Sequence, residues 1–275
     1  MAYTQLNPRF TSSARVDEIS RDSSHYLLTI PAGKADSYRL AQLDDYAPFS
    51  RRQFPHRFNP SSLLRMSLSL SARTSSDSIP GTWGFGLWND PFGMSLGFGG
   101  RPFRLPALPN AVWFFGASEE NYLSFKDLAD IDTDEKSVRP TQPAVNGLLA
   151  QSFHSTKFHP LLLLAGVALP FSRKVTRRLL GRVIDEDAIE LSTGDACIAP
   201  TDWHIYKLEW SQKRVLFEVD DVQVIESAVS PNPPLGLVIW IDNQFASFTP
   251  EGKIGFGVLE NPEPAWLEIK DIELA

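Results

Sequence analysis

Cysteine is almost absent: Cys197 stands alone in 275 residues, so no internal disulfide can form. The first thirty residues hold no apolar run behind a basic start, and no secretory signal is read there. Both absences point to a reducing, cytoplasmic setting. Histidine is scarce as well. His25, His56, His154, His159 and His204 show no His-x-His or His-x-x-x-His spacing, and no cysteine pair completes a zinc site. The longest apolar run, Leu161 to Leu169, falls far short of the roughly 20 residues that span a bilayer. A Gly-rich phosphate loop, a G-x-S-x-G elbow and a dinucleotide fingerprint are all missing. Positive charge is in deficit. A formal net charge of −7 argues against nucleic acid as the partner, because phosphate binding needs clustered Lys and Arg.

What is present reads as one mainly β domain over residues 1–275. Hydrophobic residues make up 43 % of the chain, enough to bury a sizeable core without metals or disulfides. Apolar and polar residues alternate in Tyr26 to Ile30, Leu64 to Ala72, Ile205 to Trp210, Val215 to Val219, Leu235 to Ile241 and Leu267 to Leu274, the period-two pattern of strands with one buried face. Pro31-Ala32-Gly33, Pro80-Gly81, Gly99-Gly100 and Pro250-Glu251-Gly252 supply the turns. This pattern predicts an all-β sandwich or jelly roll.

The stretch at about 147–190 breaks the pattern and reads as a helical insertion. An apolar half, Leu161 to Leu169, precedes Pro170. A basic amphipathic half follows, with Arg173, Lys174, Arg177, Arg178 and Arg182 and no acid. Such a segment packs on the sandwich, closes a cleft as a lid, or contacts an anionic membrane surface through about 160–185. The acids Asp185, Glu186, Asp187 and Glu190 directly after it read as a solvated helix, with Glu186 and Glu190 one turn apart.

Ser71-Ala72-Arg73 followed by Pro80-Gly81-Thr82-Trp83-Gly84-Phe85-Gly86-Leu87-Trp88 resembles the strand pair before the active site of family 16 glycoside hydrolases. Trp203-His204-Ile205-Tyr206-Lys207-Leu208-Glu209-Trp210, then Val215 to Asp220, is similar to that family's late strand pair, with Asp221 in the place of a glycine. Trp266 to Ile272 resembles the closing strand. The resemblance implies a concanavalin A-like jelly roll. It also implies three carboxylates, E-x-D-x-x-E, on one cleft strand, set about 5 Å apart for a retaining reaction. The strand in that place is Asn110 to Ser118, and the matching positions fall near Ala111, Trp113 and Phe115 or Gly116, none of which transfers a proton. Relatives also bind calcium, and Glu268 or Asp271 would supply its acid here; nothing in the sequence itself forms a calcium loop.

The remaining candidates line the expected cleft. Trp88, Trp113, Phe115 and Trp240 are its aromatic walls, with Asn89 and Asn243 as polar ligand contacts. Alternation puts Val238, Trp240 and Asp242 on one face, where burial raises the pKa of Asp242 toward that of a general acid. Asp90 is a second acid near the same place, although Asp-Pro-x-Gly is also a common turn. The leading expectation is an apolar or amphipathic small molecule in this cleft, isomerised or cyclised with help from one acid. A carbohydrate-binding protein or an atypical glycoside hydrolase, motivated by the fold resemblance and by exposed Trp83, Trp88, Trp113 and Trp240, and a membrane-surface module on 160–185 are the rivals.

Overall fold

The structure, a computed structural model, describes residues 6–11, 13–46, 65–90, 108–122, 124, 146–155, 180–192, 197–251 and 253–275. Alternation in the sequence becomes two seven-stranded antiparallel sheets. Sheet A runs in the order β1 (Asn7–Phe10), β4 (Leu40–Asp44), β13 (Gly236–Asp242), β6 (Thr82–Trp88), β7 (Ala111–Ala117), β8 (Gly147–Ser155) and β9 (Ile184–Glu190). Sheet B runs β12 (Val222–Ser227), β11 (Val215–Val219), β10 (His204–Trp210), β5 (Met66–Thr74), β16 (Ala265–Leu274), β3 (His25–Ile30) and β2 (Arg15–Ser20). A short hairpin pairs β14 (Gln244–Phe248) with β15 (Ile254–Val258).

The sheets pack face to face because each strand presents every second residue inward. Phe85 and Leu87 of β6, Val112 and Phe114 of β7, and Ile239 of β13 meet Leu70 of β5, Tyr206 of β10 and Phe217 of β11 in one buried cluster. Ring centroids lie 5.1 Å apart for Phe85 and Tyr206, and 4.9 Å for Phe114 and Tyr206, tilted edge to face. Local backbone choices serve this packing. The register of β16 against β5 shifts between Lys270 and Glu273, with Asp271 at a φ of 55°, so that Ile269 and Ile272 both reach the core. Asp220 and Asp221 join β11 to β12 with φ of 50° and 64°, a two-residue hairpin turn in which Asp221 takes the left-handed conformation that glycine would take freely.

The helical reading of about 147–190 is corrected at its two ends. Its flanks are strands β8 and β9, and Leu180 and Gly181 are the only described residues in helical conformation. Glu186 and Glu190 satisfy a helical spacing and a strand spacing alike, since residues 186, 188 and 190 share one face of a strand. The edge position of β9 decides the outcome: one neighbour, β8, supplies the backbone bonds, and the free edge tolerates charge. The apolar run Leu161 to Leu169, Arg173 to Arg178 and most of the proposed membrane-contact segment lie outside the described residues. No helix among the described residues is long and apolar enough to cross a membrane.

Candidate functional site

The outer face of sheet A is where the chain departs from an ordinary sandwich. An outward face normally meets water and carries polar side chains. Here it carries a second buried apolar cluster, centred on Trp88 of β6, Trp113 and Phe115 of β7, Phe153 of β8, and Val238 and Trp240 of β13. The placement follows from register. Strand β7 alternates Val112 and Phe114 into the inter-sheet core, leaving Ala111, Trp113 and Phe115 to face out, as the alternation of Asn110 to Ser118 predicts.

Strand β6 makes room for these rings. Its outward positions are Thr82, Gly84, Gly86 and Trp88. A Cβ added at Gly84 would lie 2.8 Å from the Trp240 ring, and one added at Gly86 2.5 Å from the Cβ of Trp113. The bare glycines form a slot between β7 and β13 that the indoles enter from both sides. Within it Trp88 and Trp240 lie 6.4 Å apart and 10° from parallel, while Trp113 sits 5.6 Å from Trp240 and 5.2 Å from Phe115. Each indole N–H is held by the protein: Trp88 donates to the Tyr46 hydroxyl, Trp113 to Gln151 Oε1 at 3.1 Å and Trp240 to Thr82 Oγ1 at 3.0 Å. Leu180 and Val183, at the described end of the insertion, pack onto the cluster, as does Tyr38. Trp88, Trp113 and Trp240 are thus buried, not exposed as expected, and Trp83 points the other way into the inter-sheet core.

Asp242 ends the outward row of β13, beside Trp240. It is 2 % exposed and accepts hydrogen bonds from the Thr82 hydroxyl at 2.7 Å, the Tyr38 hydroxyl at 3.1 Å and the backbone N–H of Gln244 at 3.2 Å. Burial pushes its pKa up to about 6, against the lowering effect of those donors. The same carboxylate, after burial, holds the Tyr38 phenol above its ordinary value. At the opposite end of the cluster Asp90 is buried at a φ of 45°. Burial first, then the charges of Asp90 and Asp44, raise the pKa of Tyr46, which caps the Trp88 indole. Asp44 is also fully buried, and Arg9 answers it at 2.5 Å.

The two candidate asparagines serve the backbone. Asn89 donates to the Leu108 carbonyl at 2.9 Å and accepts from the Asn110 N–H at 3.1 Å. Asn243 donates to the carbonyls of Ser37 and Leu259 and accepts from the Arg39 N–H, fixing the loop that carries Tyr38. His204 is held by Asp220 and the Ala199 carbonyl, a structural position. Glu268, one of the acids considered for calcium, bonds His25 at 2.8 Å and Arg73 at 2.7 Å. A carboxylate engaged by two basic side chains does not fit a cation, and Asp271 brings no other acid to it: among the described residues no group of three His, Cys, Asp or Glu can hold a metal ion.

Several site residues escaped the sequence. Tyr38 and Tyr46 reach the cluster from the ends of β4, which no local pattern signals. Gln151 lies on β8, within the stretch read as a helical insertion. Glu186, read as part of a solvated helix, is instead buried on the outward face of β9 and accepts from the Ser124 hydroxyl. Glu186 and Asp242 lie on strands separated by β6, β7 and β8, about 19 Å across the sheet at ~4.8 Å per strand, and Glu186 lines up with Gly236, not Asp242, so the two acids are farther apart still. A glycosidase pair stands about 5 to 10 Å apart.

No protein-family model and no curated protein sequence matches the chain. Among solved structures it is similar to a GlcNAcα1-4Gal-releasing endo-β-galactosidase from Clostridium perfringens, at 10 % identity and a TM-score of 0.45, over 98 % of this chain and 54 % of that one. It is also similar to a glycoside hydrolase family 16 endo-glucanase from Bacteroides ovatus, at 9 % identity and a TM-score of 0.46, over 98 % and 94 % of the two chains. The binding domain of botulinum neurotoxin DC gives 7 % identity and a TM-score of 0.42, over 98 % and 43 %. The chain therefore spans about half the length of the first of these. None reaches a TM-score of 0.5, and none speaks to the chemistry of this site.

Proposed function

We propose that the outer face of sheet A binds an apolar or amphipathic small molecule and that Asp242 serves as the single acid for its isomerisation or cyclisation. One observation carries this reading: a sandwich core already exists between the sheets, yet a second aromatic cluster is buried on the outside with a carboxylic acid beside it. Such a cluster offers a flat apolar wall, and an acid with a pKa near 6 exchanges protons at neutral pH. Asp242 would protonate the ligand at one carbon or oxygen and recover a proton from the adjacent position as the product forms. The separation of Asp242 from Glu186 leaves that pair too far apart for double displacement at a glycosidic bond.

A glycan ligand is the second reading. The near-parallel pair Trp88 and Trp240, with the amides of Gln42 and Gln151 on the same face, is the combination on which sugar rings stack. Native mass spectrometry of the protein after exposure to lipid and terpenoid extracts, beside titration with β-glucan oligosaccharides, separates the two. An apolar ligand retained without glucan binding supports the first reading, and clear oligosaccharide binding replaces it with the second. The acid role is tested by Asp242→Asn on whichever ligand is converted: turnover that persists with an unaltered pH profile removes Asp242 from the mechanism.

A further inference from the structure

The outward positions of β4, β13, β6, β7, β8 and β9 are fixed by register. They carry Asp44, Asp242, Glu186 and Glu190 and no Lys, Arg or His. Of these acids Asp44 has its own cation, Arg9, reaching over from β1. Asp242 does not. Its donors are two hydroxyls and the backbone N–H groups of Gln244 and Thr82, all neutral, and among the described residues no Lys, Arg or His pairs with it. A carboxylate buried without a counter-ion is costly, and a ligand that supplies the missing charge recovers much of that cost.

The groups around Asp242 define what that ligand must be. Trp240 is joined to the acid through Thr82, whose hydroxyl accepts from the indole N–H and donates to the carboxylate. Phe115 and Trp113 stand 5.4 and 5.6 Å from Trp240 by ring centroid. The indole N–H groups are bonded within the protein, so what the rings have left to offer a ligand is their electron-rich carbon faces, and such faces attract cations within roughly 6 Å. A metal ion would require several oxygen ligands that these rings do not offer.

We propose that this face takes an organic cation, with a quaternary or protonated ammonium head set against Trp240, Phe115 and Trp113, Asp242 as its counter-ion, and the apolar remainder of the ligand along the rest of the cluster. The inference rests on the small-molecule reading of this site and names the ligand class within it; in that complex Asp242 is the ionised carboxylate and not the proton donor.

Calorimetric titration with choline and with its neutral tert-butyl isostere, in which carbon replaces the ammonium nitrogen, tests it on the full chain. Choline is expected to bind about tenfold more tightly than the isostere. Asp242→Asn abolishes that preference. Phe115→Leu, which keeps an apolar side chain, lowers the preference about threefold and carries the test if the Asp242 variant does not fold. Equal affinities for choline and isostere overturn the cation while leaving the apolar site standing. Binding of neither at millimolar concentration overturns both. A preference that survives both substitutions places the cation elsewhere and overturns the assignment.

Discussion

The outer faces of the two sheets treat tryptophan in opposite ways. On sheet B, Trp203 and Trp266 are partly exposed and lie under basic side chains: the Arg73 guanidinium is 4.8 Å from the Trp203 ring and 5.5 Å from Trp266, and the Lys270 ammonium is 4.4 Å from Trp203. Arg73 in turn meets Glu268, which His25 also bonds. That face is electrostatically closed. Trp203 and Trp266 each have a cation, and Arg73, Lys270 and His25 each have a ring or an acid. On sheet A the rings are buried, pack on one another and adjoin an acid, Asp242, that has no cation among the described residues. Aromatic content alone therefore does not mark a site; the mark is an aromatic surface whose charge complement is missing among the described residues.

The acids of the two faces also titrate with opposite consequences. Burial raises the pKa of Asp242, so the folded state holds that proton more tightly than the unfolded state does. Glu268 is held below its ordinary value: burial pushes upward but is outweighed by the bonds from His25 and Arg73, so its contribution is lost as pH falls through the carboxylate range.

Breaking sheet A's face has the largest expected effect. Trp113→Ala leaves a cavity among Trp88, Phe115, Phe153 and Trp240 and costs about 3 to 5 kcal/mol by urea denaturation, whereas Trp266→Ala on sheet B costs about 1 kcal/mol or less; comparable losses would erase the distinction. Next comes the linkage at Asp242. Raising a carboxyl from 3.8 to about 6 amounts to about 3 kcal/mol, lost by the wild type as pH rises from about 4 to 6; Asp242→Asn removes this slope, as denaturation at a series of pH values would show. Gly84→Ala, which forces the new methyl toward Trp240 and the Phe114 carbonyl, destabilises by about 1 to 3 kcal/mol and disturbs ligand binding; a neutral outcome would mean that the slot is looser than its contacts indicate. The smallest effect belongs to Lys270→Ala, about 0.5 to 1 kcal/mol for a partly exposed cation over a ring, with ligand binding on sheet A unchanged.

Much of the scaffold was legible in the sequence because alternation is a local property. The strands containing Tyr26, Leu70, Tyr206, Phe217, Ile239 and Leu267 form where their patterns predict, and the outward aim of Trp113, Phe115, Trp240 and Asp242 follows from counting by twos. Alternation does not say whether an outward face is covered. Hence Trp88, Trp113 and Trp240 were expected to be exposed, and Asn89 and Asn243 to be free for ligand. The partners that decide those matters, Tyr38, Tyr46, Thr82 and the carbonyls of Leu108 and Leu259, are distant in sequence. Strand β9 was misread for a different reason: Asp-Glu-Asp-Ala-Ile-Glu fits either periodicity, and only its pairing with β8 chooses between them.

The three outward indoles carry a further consequence, an optical one. With centroids 5.6 to 6.4 Å apart, Trp88, Trp113 and Trp240 are close enough for their excited states to couple, and their surroundings are dry and rigid. They should dominate the near-ultraviolet circular dichroism of the protein and emit at short wavelength. A guest seated among them changes both signals at once, so the site contains its own reporter and its occupancy can be read without a label.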